Sequence, residues 1–197
     1  MKVTVAVTGA SGALLAQQLL RSLEADQRVT GIDSVISEGA LRVLAEELHL
    51  SGRNQILEKL LGNAPKKTSH HAEQDIGASI ASGSYPTAGM IVLPCSMGTL
   101  AGIANGMAGN LIERAADVCL KERRPLILCV RETPFNKIHL RNMQLAADAG
   151  ATIFPVIPAF YNEPTTTSDM VRNFVDRVLA HFGLPQPGAF VWKPAAH

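Results

Sequence analysis

Short apolar runs alternate along this chain with longer amphipathic segments. The runs predict strands at Val3–Val7, Ile32–Ser37, Met90–Leu93, Leu126–Val130 and Thr152–Phe154. The segments with helical periodicity are Ala13–Leu23, Ala40–Leu48, Gly98–Asn105, Leu111–Glu122, Ile138–Ala149 and Ser168–Phe182. Strands that are apolar on both faces and separated by helices predict a parallel sheet with helices covering both sides.

The predicted architecture is a three-layer α/β/α domain with a Rossmann-like or flavodoxin-like parallel sheet. We expect one such domain over residues 1–183, followed by a C-terminal tail at 184–197 that carries three prolines and the only tryptophan. The segment Ser51–Ile76 does not fit the alternation, because its polarity is mixed, and we interpret it as an insertion or as a surface helix followed by a loop. Adjacent His70 and His71 there seldom point the same way, so we interpret them as part of a solvated loop and predict no metal site.

Composition limits the function classes. Hydrophobic residues make up 47% and charged residues 18% of the chain, which indicates a globular protein, and a net charge of +1 gives no reason to expect nucleic acid or an acidic membrane as partner. No apolar run is long enough to span a bilayer, and the chain enters a strand almost at once, so we expect no signal peptide. Cys95, Cys119 and Cys129 lack metal-type spacing, which is typical of reduced, mostly buried thiols in a cytoplasmic protein.

The turn Gly9-Ala10-Ser11-Gly12 lies between the first predicted strand and the first predicted helix. Glycines let the backbone approach an anion closely, and the N–H groups of the helix start point toward it. Ser11 can cap the helix or donate to a ligand. The alternative is a turn that only ends the strand. Because a third glycine is absent, the spacing disfavours a dinucleotide and favours a mononucleotide such as FMN.

Residues that follow the other strands are further candidates, because parallel sheets bind ligands at the carboxyl ends of their strands. The loop Pro94–Leu100 can hydrogen-bond a planar ligand, or Ser96 can simply cap the next helix. Arg131 and Glu132 are suited to an anion clamp and a general acid or base, with a structural ion pair as the alternative. Arg114 and Lys121 lie seven residues apart, so on a helix they share one face with Leu111 and Val118 between them. Two cations on such an apolar stripe favour an anion partner, although surface charge is the competing interpretation.

The order and spacing of several motifs resemble the UbiX-type flavin prenyltransferases, within the FMN-binding, cysteine-decarboxylase-like flavoproteins. The resemblance runs from Val5 to about Phe182. It rests on Thr8–Gly12, Ser82–Ser84, Pro94–Ser96, Gly98–Leu100, Asn110–Asp117, Leu120–Pro125, Val130–Pro134 and Pro158–Tyr161.

The resemblance implies a metal-independent transfer of a dimethylallyl group from dimethylallyl monophosphate to reduced FMN, at N5 and C6 of the flavin. The product, prenylated FMN, would serve UbiD-type decarboxylases, as in ubiquinone biosynthesis. A homododecamer with FMN at subunit contacts is also implied. Two other functions remain open, a flavin-dependent decarboxylase and an FMN-carrier subunit of a decarboxylase. Several cations suit a phosphate leaving group better than a single carboxylate, which disfavours the former.

The resemblance and the loops together define the expected site. Catalytic roles are expected for Ser11, Glu47 and Glu132. Flavin contacts are expected from Gly9, Ala10, Ser11, Ser37, Ser96, Met97, Thr99 and Arg131. The prenyl phosphate is expected to contact Ser82, Gly83, Arg114, Lys121, Tyr161 and Arg177, with Arg131 and Glu132 beside that pocket. Three positions depart from many relatives: Glu38 follows Ser37 where a lysine is common, Ile76 replaces a pocket aromatic, and Trp192 stands in a variable tail.

Overall fold

A computed structural model describes residues 1–50 and 54–191 of the chain. The chain divides into two compact units, Met1–Val156 and Ile157–His197. The sequence-based boundary at residue 183 between one domain and a tail remains a prediction. Trp192 lies outside the described residues.

The first unit is built on a six-stranded sheet in the order β3-β2-β1-β4-β5-β6. All neighbouring strands pair in parallel, which confirms the predicted fold class. The strand order reverses between β1 and β4, and the crevice at such a switch point is where open α/β sheets bind ligands. The strands are β1 (Lys2–Val7), β2 (Gly31–Ile36), β3 (Thr68–His71), β4 (Thr87–Cys95), β5 (Leu126–Val130) and β6 (Thr152–Ile153).

Helices flank the sheet in two groups. α1 (Ala13–Ala25) packs on α2 (Glu38–Leu48) and α3 (Ile56–Leu61), whereas α4 (Met97–Ala104) packs on α5 (Leu111–Lys121) and α6 (Lys137–Asp148). A short 3₁₀ turn at Ser79–Ala81 lies against α5. Every helix and strand that the periodicity predicts is present, with ends shifted by a few residues. α3 lies in the segment that we interpret as an insertion or as a surface helix followed by a loop, and β3 was not predicted.

The prediction of a solvated loop around His70 and His71 is wrong, because these residues form β3 at the edge of the sheet. The backbone of this polar segment pairs with β2, and a short polar strand is a common way to end a sheet. His71 Nε2 lies 2.8 Å from Oδ1 of the buried Asp33. Burial lowers the pKa of His70. Within 1–50 and 54–191, no group of three or more His, Cys, Asp or Glu side chains is arranged to hold a metal ion.

The core lies along the central strands, since every residue of β5 and nearly all of β1 and β4 are buried. The three cysteines are free and buried, as predicted. Burial raises the pKa of Cys95 to about 12 and that of Cys119 to about 11, so both are protonated and unreactive at neutral pH. None of the described helices is long and apolar enough to cross a membrane.

The second unit contains α7 (Thr167–His181). Thr166 and Asp169 form a reciprocal capping box at its start. Within this unit, Arg177 donates a 2.9 Å hydrogen bond to the Tyr161 hydroxyl, and the Tyr161 ring lies 5.3 Å from that of Phe190. Two predicted substrate residues, Tyr161 and Arg177, are therefore brought together.

Candidate functional site at the ends of the sheet

The glycine turn after β1 is shaped for close approach. Gly12, with φ of 132°, is the N-cap of α1 and no side chain caps this helix, so the expectation that Ser11 caps it is wrong. A Cβ added to Gly9 would lie 3.1 Å from the Cα of Gly39 at the start of α2. The β1–α1 turn therefore touches the β2–α2 turn backbone to backbone, which explains the need for glycine at both positions.

The N–H groups at the start of α1 do bind an anion, and that anion is a side chain of the protein. Glu47 accepts hydrogen bonds from Ala13 N at 2.8 Å and from Gly12 N at 3.1 Å. Partial burial alone would raise the pKa of Glu47. Hydrogen bonds from Ser11 and the two backbone N–H groups, together with the charge of Arg131, outweigh it and lower the pKa. The structure thus groups Ser11, Glu47 and Arg131, three of the predicted site residues.

Hydroxyl groups cap two further helices at this edge of the sheet. The Ser37 hydroxyl accepts from Ala40 N at 3.1 Å at the start of α2. The Ser96 hydroxyl accepts from Thr99 N at 3.3 Å, as the capping interpretation predicts, and lies 3.1 Å from the Thr99 hydroxyl. The starts of α1, α2 and α4 therefore meet at the carboxyl ends of β2, β1 and β4, and their dipoles make this edge attractive to an anion.

Arg131 and Glu132 follow β5 at the same edge. The Arg131 backbone N–H donates to the carbonyl of Cys95 at 3.1 Å, which ties it to the end of β4. Glu132 is exposed, and its carboxylate accepts from Thr133 N at 2.9 Å. The charge of Arg131 acts on Glu47 and helps to lower its pKa.

The predicted phosphate residues form a second group around α5. Arg114 Nε donates to the Ala81 carbonyl at 3.2 Å, which places the 3₁₀ turn and Ser82 against the helix. A Cβ at Gly83 would collide with the ends of the Lys121 and Glu122 side chains, so Gly83 lies directly beside Lys121. The structure therefore unites Ser82, Gly83, Arg114 and Lys121; we call these four residues the α5 cluster.

Both cations of the α5 cluster have carboxylate partners close to them in sequence, one within α5 and one at its C-cap. Arg114 pairs with Asp117 at 2.9 Å, and Lys121 pairs with Glu122. Leu111 and Val118 are completely buried, whereas the Arg114 and Lys121 side chains are 38% and 46% exposed. The prediction that the cations lie on one apolar stripe with these residues is therefore wrong; they lie beside that stripe, where water and carboxylates reach them.

The group around Ser11 and Glu47 and the α5 cluster lie toward opposite ends of the strands. Ser11, Ser37, Ser96 and Glu132 follow the carboxyl ends of strands, whereas Gly83 and Lys121 precede the amino ends of β4 and β5. β4 has nine residues, so its ends are about 26 Å apart at roughly 3.3 Å per residue. Within one copy of the chain, the α5 cluster is therefore far from the predicted flavin contacts. Those contacts lie at the carboxyl ends of the strands, which we call the carboxyl edge.

Some residues around the α5 cluster were missed by reasoning from the sequence. Arg124 donates to the Gly83 carbonyl at 2.6 Å and to the Tyr85 carbonyl at 2.8 Å. Its only sequence signal is its place in Leu120–Pro125, a motif whose individual roles the resemblance leaves unspecified. Glu122 lies in the same motif, and it was passed over because a carboxylate at a helix end commonly faces solvent.

A protein-family model for "Flavoprotein" matches residues 1–182. The chain belongs to this family. Its relatives within the flavoprotein family include "Flavin prenyltransferase UbiX" of Salmonella typhimurium, which is 48% identical over 188 residues and matched over 94% of both chains. The family resemblance is therefore confirmed.

Two solved flavoproteins share the fold closely. A dodecameric FMN-dependent UbiX-like decarboxylase from Escherichia coli O157:H7 has a TM-score of 0.88 and 43% identity, covering 98% of this chain and all of its own (100%). AnUbiX (PadA1), solved in complex with FMN and dimethylallyl pyrophosphate, has a TM-score of 0.87 and 38% identity, covering 99% of this chain and 98% of its own.

Proposed function

We propose that this flavoprotein is a flavin prenyltransferase, which transfers a dimethylallyl group from dimethylallyl monophosphate to reduced FMN. The observation that carries the proposal is the 48% identity to a flavin prenyltransferase over 94% of the chain. The structure supports the proposal through the two cations Arg114 and Lys121, which lie beside Ser82 and Gly83. Several cations and hydroxyls suit a phosphate leaving group.

FMN fits the carboxyl edge of the sheet. The donor set there consists of hydroxyls and the N–H groups at the start of α4, which suits a phosphate and a polar ring edge, whereas Glu47 and Glu73 occupy N–H groups at the starts of α1 and α2. At Gly98 in α4 a Cβ would meet no atom within 4 Å, so the backbone of this helix start is open to a planar group. The residues we assign to FMN are Gly9, Ala10, Ser11, Ser37, Ser96, Met97, Thr99 and Arg131. Reduced FMN supplies the nucleophilic N5 and C6 positions for the reaction.

The residues of the chain have separate tasks in this reaction. When the carbon–oxygen bond of the prenyl phosphate breaks, the phosphate oxygen keeps the electron pair, and Arg114 and Lys121 stabilise the charge that develops there. The protons that leave the flavin need an acceptor. Glu132, which is exposed at the carboxyl ends of the strands, and Glu47 are the two candidate acceptors. The lowered pKa of Glu47 makes its carboxylate a weaker base than an ordinary glutamate, so we assign Glu132 the main role.

The opposite positions of the two groups require more than one copy of the chain. We assign the α5 cluster of one copy to the flavin site of another, and we keep Tyr161 and Arg177 as proposed contacts of the prenyl phosphate. The dodecameric structure from E. coli O157:H7 supports a closed homododecamer. Exposed apolar residues on and before α6, Phe135, Ile138 and Leu140, are suited to subunit contacts. The assembled enzyme would work in the cytoplasm and pass prenylated FMN to a UbiD-type decarboxylase.

The test is an anaerobic incubation of the protein with reduced FMN and dimethylallyl monophosphate, followed by mass spectrometry of the released flavin. We expect a flavin heavier by one C₅H₈ unit, and this product should activate a cofactor-free UbiD-type decarboxylase. An unaltered flavin would contradict the proposal. Decarboxylation of a cysteine-terminated peptide with unaltered flavin would instead favour the flavin-dependent decarboxylase.

A further inference from the structure

The turn that carries two predicted phosphate contacts is tied down by arginines. Ser82 to Tyr85 forms a tight turn, closed by the 3.1 Å hydrogen bond from Tyr85 N to the Ser82 carbonyl. The hydroxyls of Ser82 and Ser84 lie 2.9 Å apart, and both residues are exposed. This turn therefore presents two hydroxyls to solvent next to the Lys121 ammonium.

Arginine side chains hold alternate carbonyl groups through this turn. Arg124 bridges the carbonyls of Gly83 and Tyr85 with two separate guanidinium nitrogens, and Arg114 holds the carbonyl of Ala81. A carbonyl oxygen repels an anion. Hydrogen bonds that fix these three oxygens on guanidinium groups keep them from turning toward a phosphate beside Lys121.

The turn is anchored a second time through the Tyr85 side chain. Its hydroxyl donates to Oδ2 of the buried Asp33 at 2.9 Å and accepts from Lys2 Nζ at 3.0 Å. Asp33 is held in turn by His71. Tyr85 is thus fixed at its ring by the strands β1 and β2 and at its carbonyl by Arg124.

We propose that Arg124 is a positioning residue for the prenyl phosphate: its guanidinium holds the Ser82–Tyr85 turn in the conformation that presents Ser82 and Gly83 beside Lys121. The guanidinium of Arg124 donates to two backbone carbonyls of this turn, and its charge also acts on the neighbouring Glu122; we assign its effect on the substrate to the turn. The inference rests on the proposed function, and it adds a residue whose role follows from its two backbone contacts.

The neighbouring arginine provides a matched control. Arg123 has the same charge as Arg124 and follows α5 directly before it in sequence. Arg123 is exposed, and its backbone is left-handed, with φ of 55°. If only net positive charge near the phosphate mattered, Arg123→Gln and Arg124→Gln would have similar effects. If the two backbone contacts matter, the effects differ.

The experiment measures steady-state alkylation of reduced FMN by the assembled protein at varied dimethylallyl monophosphate. For Arg124→Gln we expect KM for the prenyl phosphate to rise roughly tenfold or more while kcat stays within about threefold. FMN affinity and oligomer size should not change. Arg124→Lys keeps the charge but loses the planar fork, so its KM should remain raised. Arg123→Gln should behave as wild type.

Several results would overturn the inference while the proposed function stands. They are an unchanged KM in Arg124→Gln, a wild-type KM in Arg124→Lys, or an equal rise in Arg123→Gln. A lower melting temperature in Arg124→Gln with no change in KM would assign Arg124 a purely structural role. If Arg124→Gln does not assemble, the comparison of Arg124→Lys with Arg123→Gln decides. Failure of the wild type to alkylate FMN at all would instead overturn the proposed function.

Discussion

Substitution of Lys121 distinguishes an effect on the reaction from an effect on folding. Its side chain is 46% exposed and pairs with Glu122, whose side chain is 36% exposed. Exposed ion pairs contribute little to stability, so Lys121→Ala should fold and assemble normally. A charge-assisted contact to phosphate contributes about 2–3 kcal/mol, which corresponds to roughly a hundredfold in kcat/KM for the prenyl phosphate.

Glu122 should respond in the opposite direction. The hydrogen bond and charge of Lys121 lower the pKa of Glu122, so its carboxylate is ionised and occupies the ammonium group that the phosphate needs. Glu122→Gln keeps the shape and removes this competing anion. We therefore expect KM for the prenyl phosphate to fall by about twofold or more, because an exposed partner competes only weakly.

The assay is anaerobic flavin alkylation followed by absorbance, with dimethylallyl monophosphate varied at saturating reduced FMN. Lys59→Ala removes an exposed lysine from α3 and serves as the matched control. FMN binding, measured separately, should be the same in all variants. A kcat/KM for Lys121→Ala within about threefold of the control would refute the reasoning, as would equal losses in Lys121→Ala and Glu122→Gln.

Three further substitutions test the carboxyl edge. Glu132→Gln should still bind the prenyl phosphate while single-turnover alkylation slows by about a hundredfold or more, and a wild-type rate would exclude an acid–base role. Glu47 has a folded-state pKa below its ordinary 4.5, so its stabilisation is complete above that value and is lost as the pH falls through the folded pKa. The melting temperature of Glu47→Gln should therefore lie below that of wild type at pH 7 and approach it in acid; a constant gap would contradict this. Ser96→Ala should cost about 1 kcal/mol of stability through loss of the α4 cap, whereas Ser96→Asp, which can still cap, should lose much less; equal losses in thermal unfolding would exclude the cap as the cause.

Much of the fold follows from local patterns. β1, β4 and β5 are continuous apolar runs, and such runs have few alternatives to a buried parallel strand. β3 was missed because Thr68–His71 is polar, and its strand conformation depends on the free edge of β2, which lies far away in sequence.

The candidate site was predictable only in part. The capping of α4 by Ser96 could be predicted, because a cap depends only on residues that are neighbours in sequence. The contact of Glu47 with the start of α1 joins residues 34 and 35 positions apart, and no local pattern encodes it. The separation of the α5 cluster from the carboxyl ends of the strands could have been predicted, because Gly83 and Lys121 precede strands of a parallel sheet whereas Glu132 follows one.

Complementation between two inactive variants tests most directly the central claim, that one reaction site combines opposite edges of two copies. Lys121→Ala removes a group at the amino ends of the strands, and Glu132→Gln removes one at the carboxyl ends. Co-expressed in one assembly, they should restore flavin alkylation to about a quarter of the wild-type level, since random mixing leaves that share of sites intact on both sides. Activity of the mixed assembly no higher than that of the single variants would contradict the claim and place the complete site within one chain.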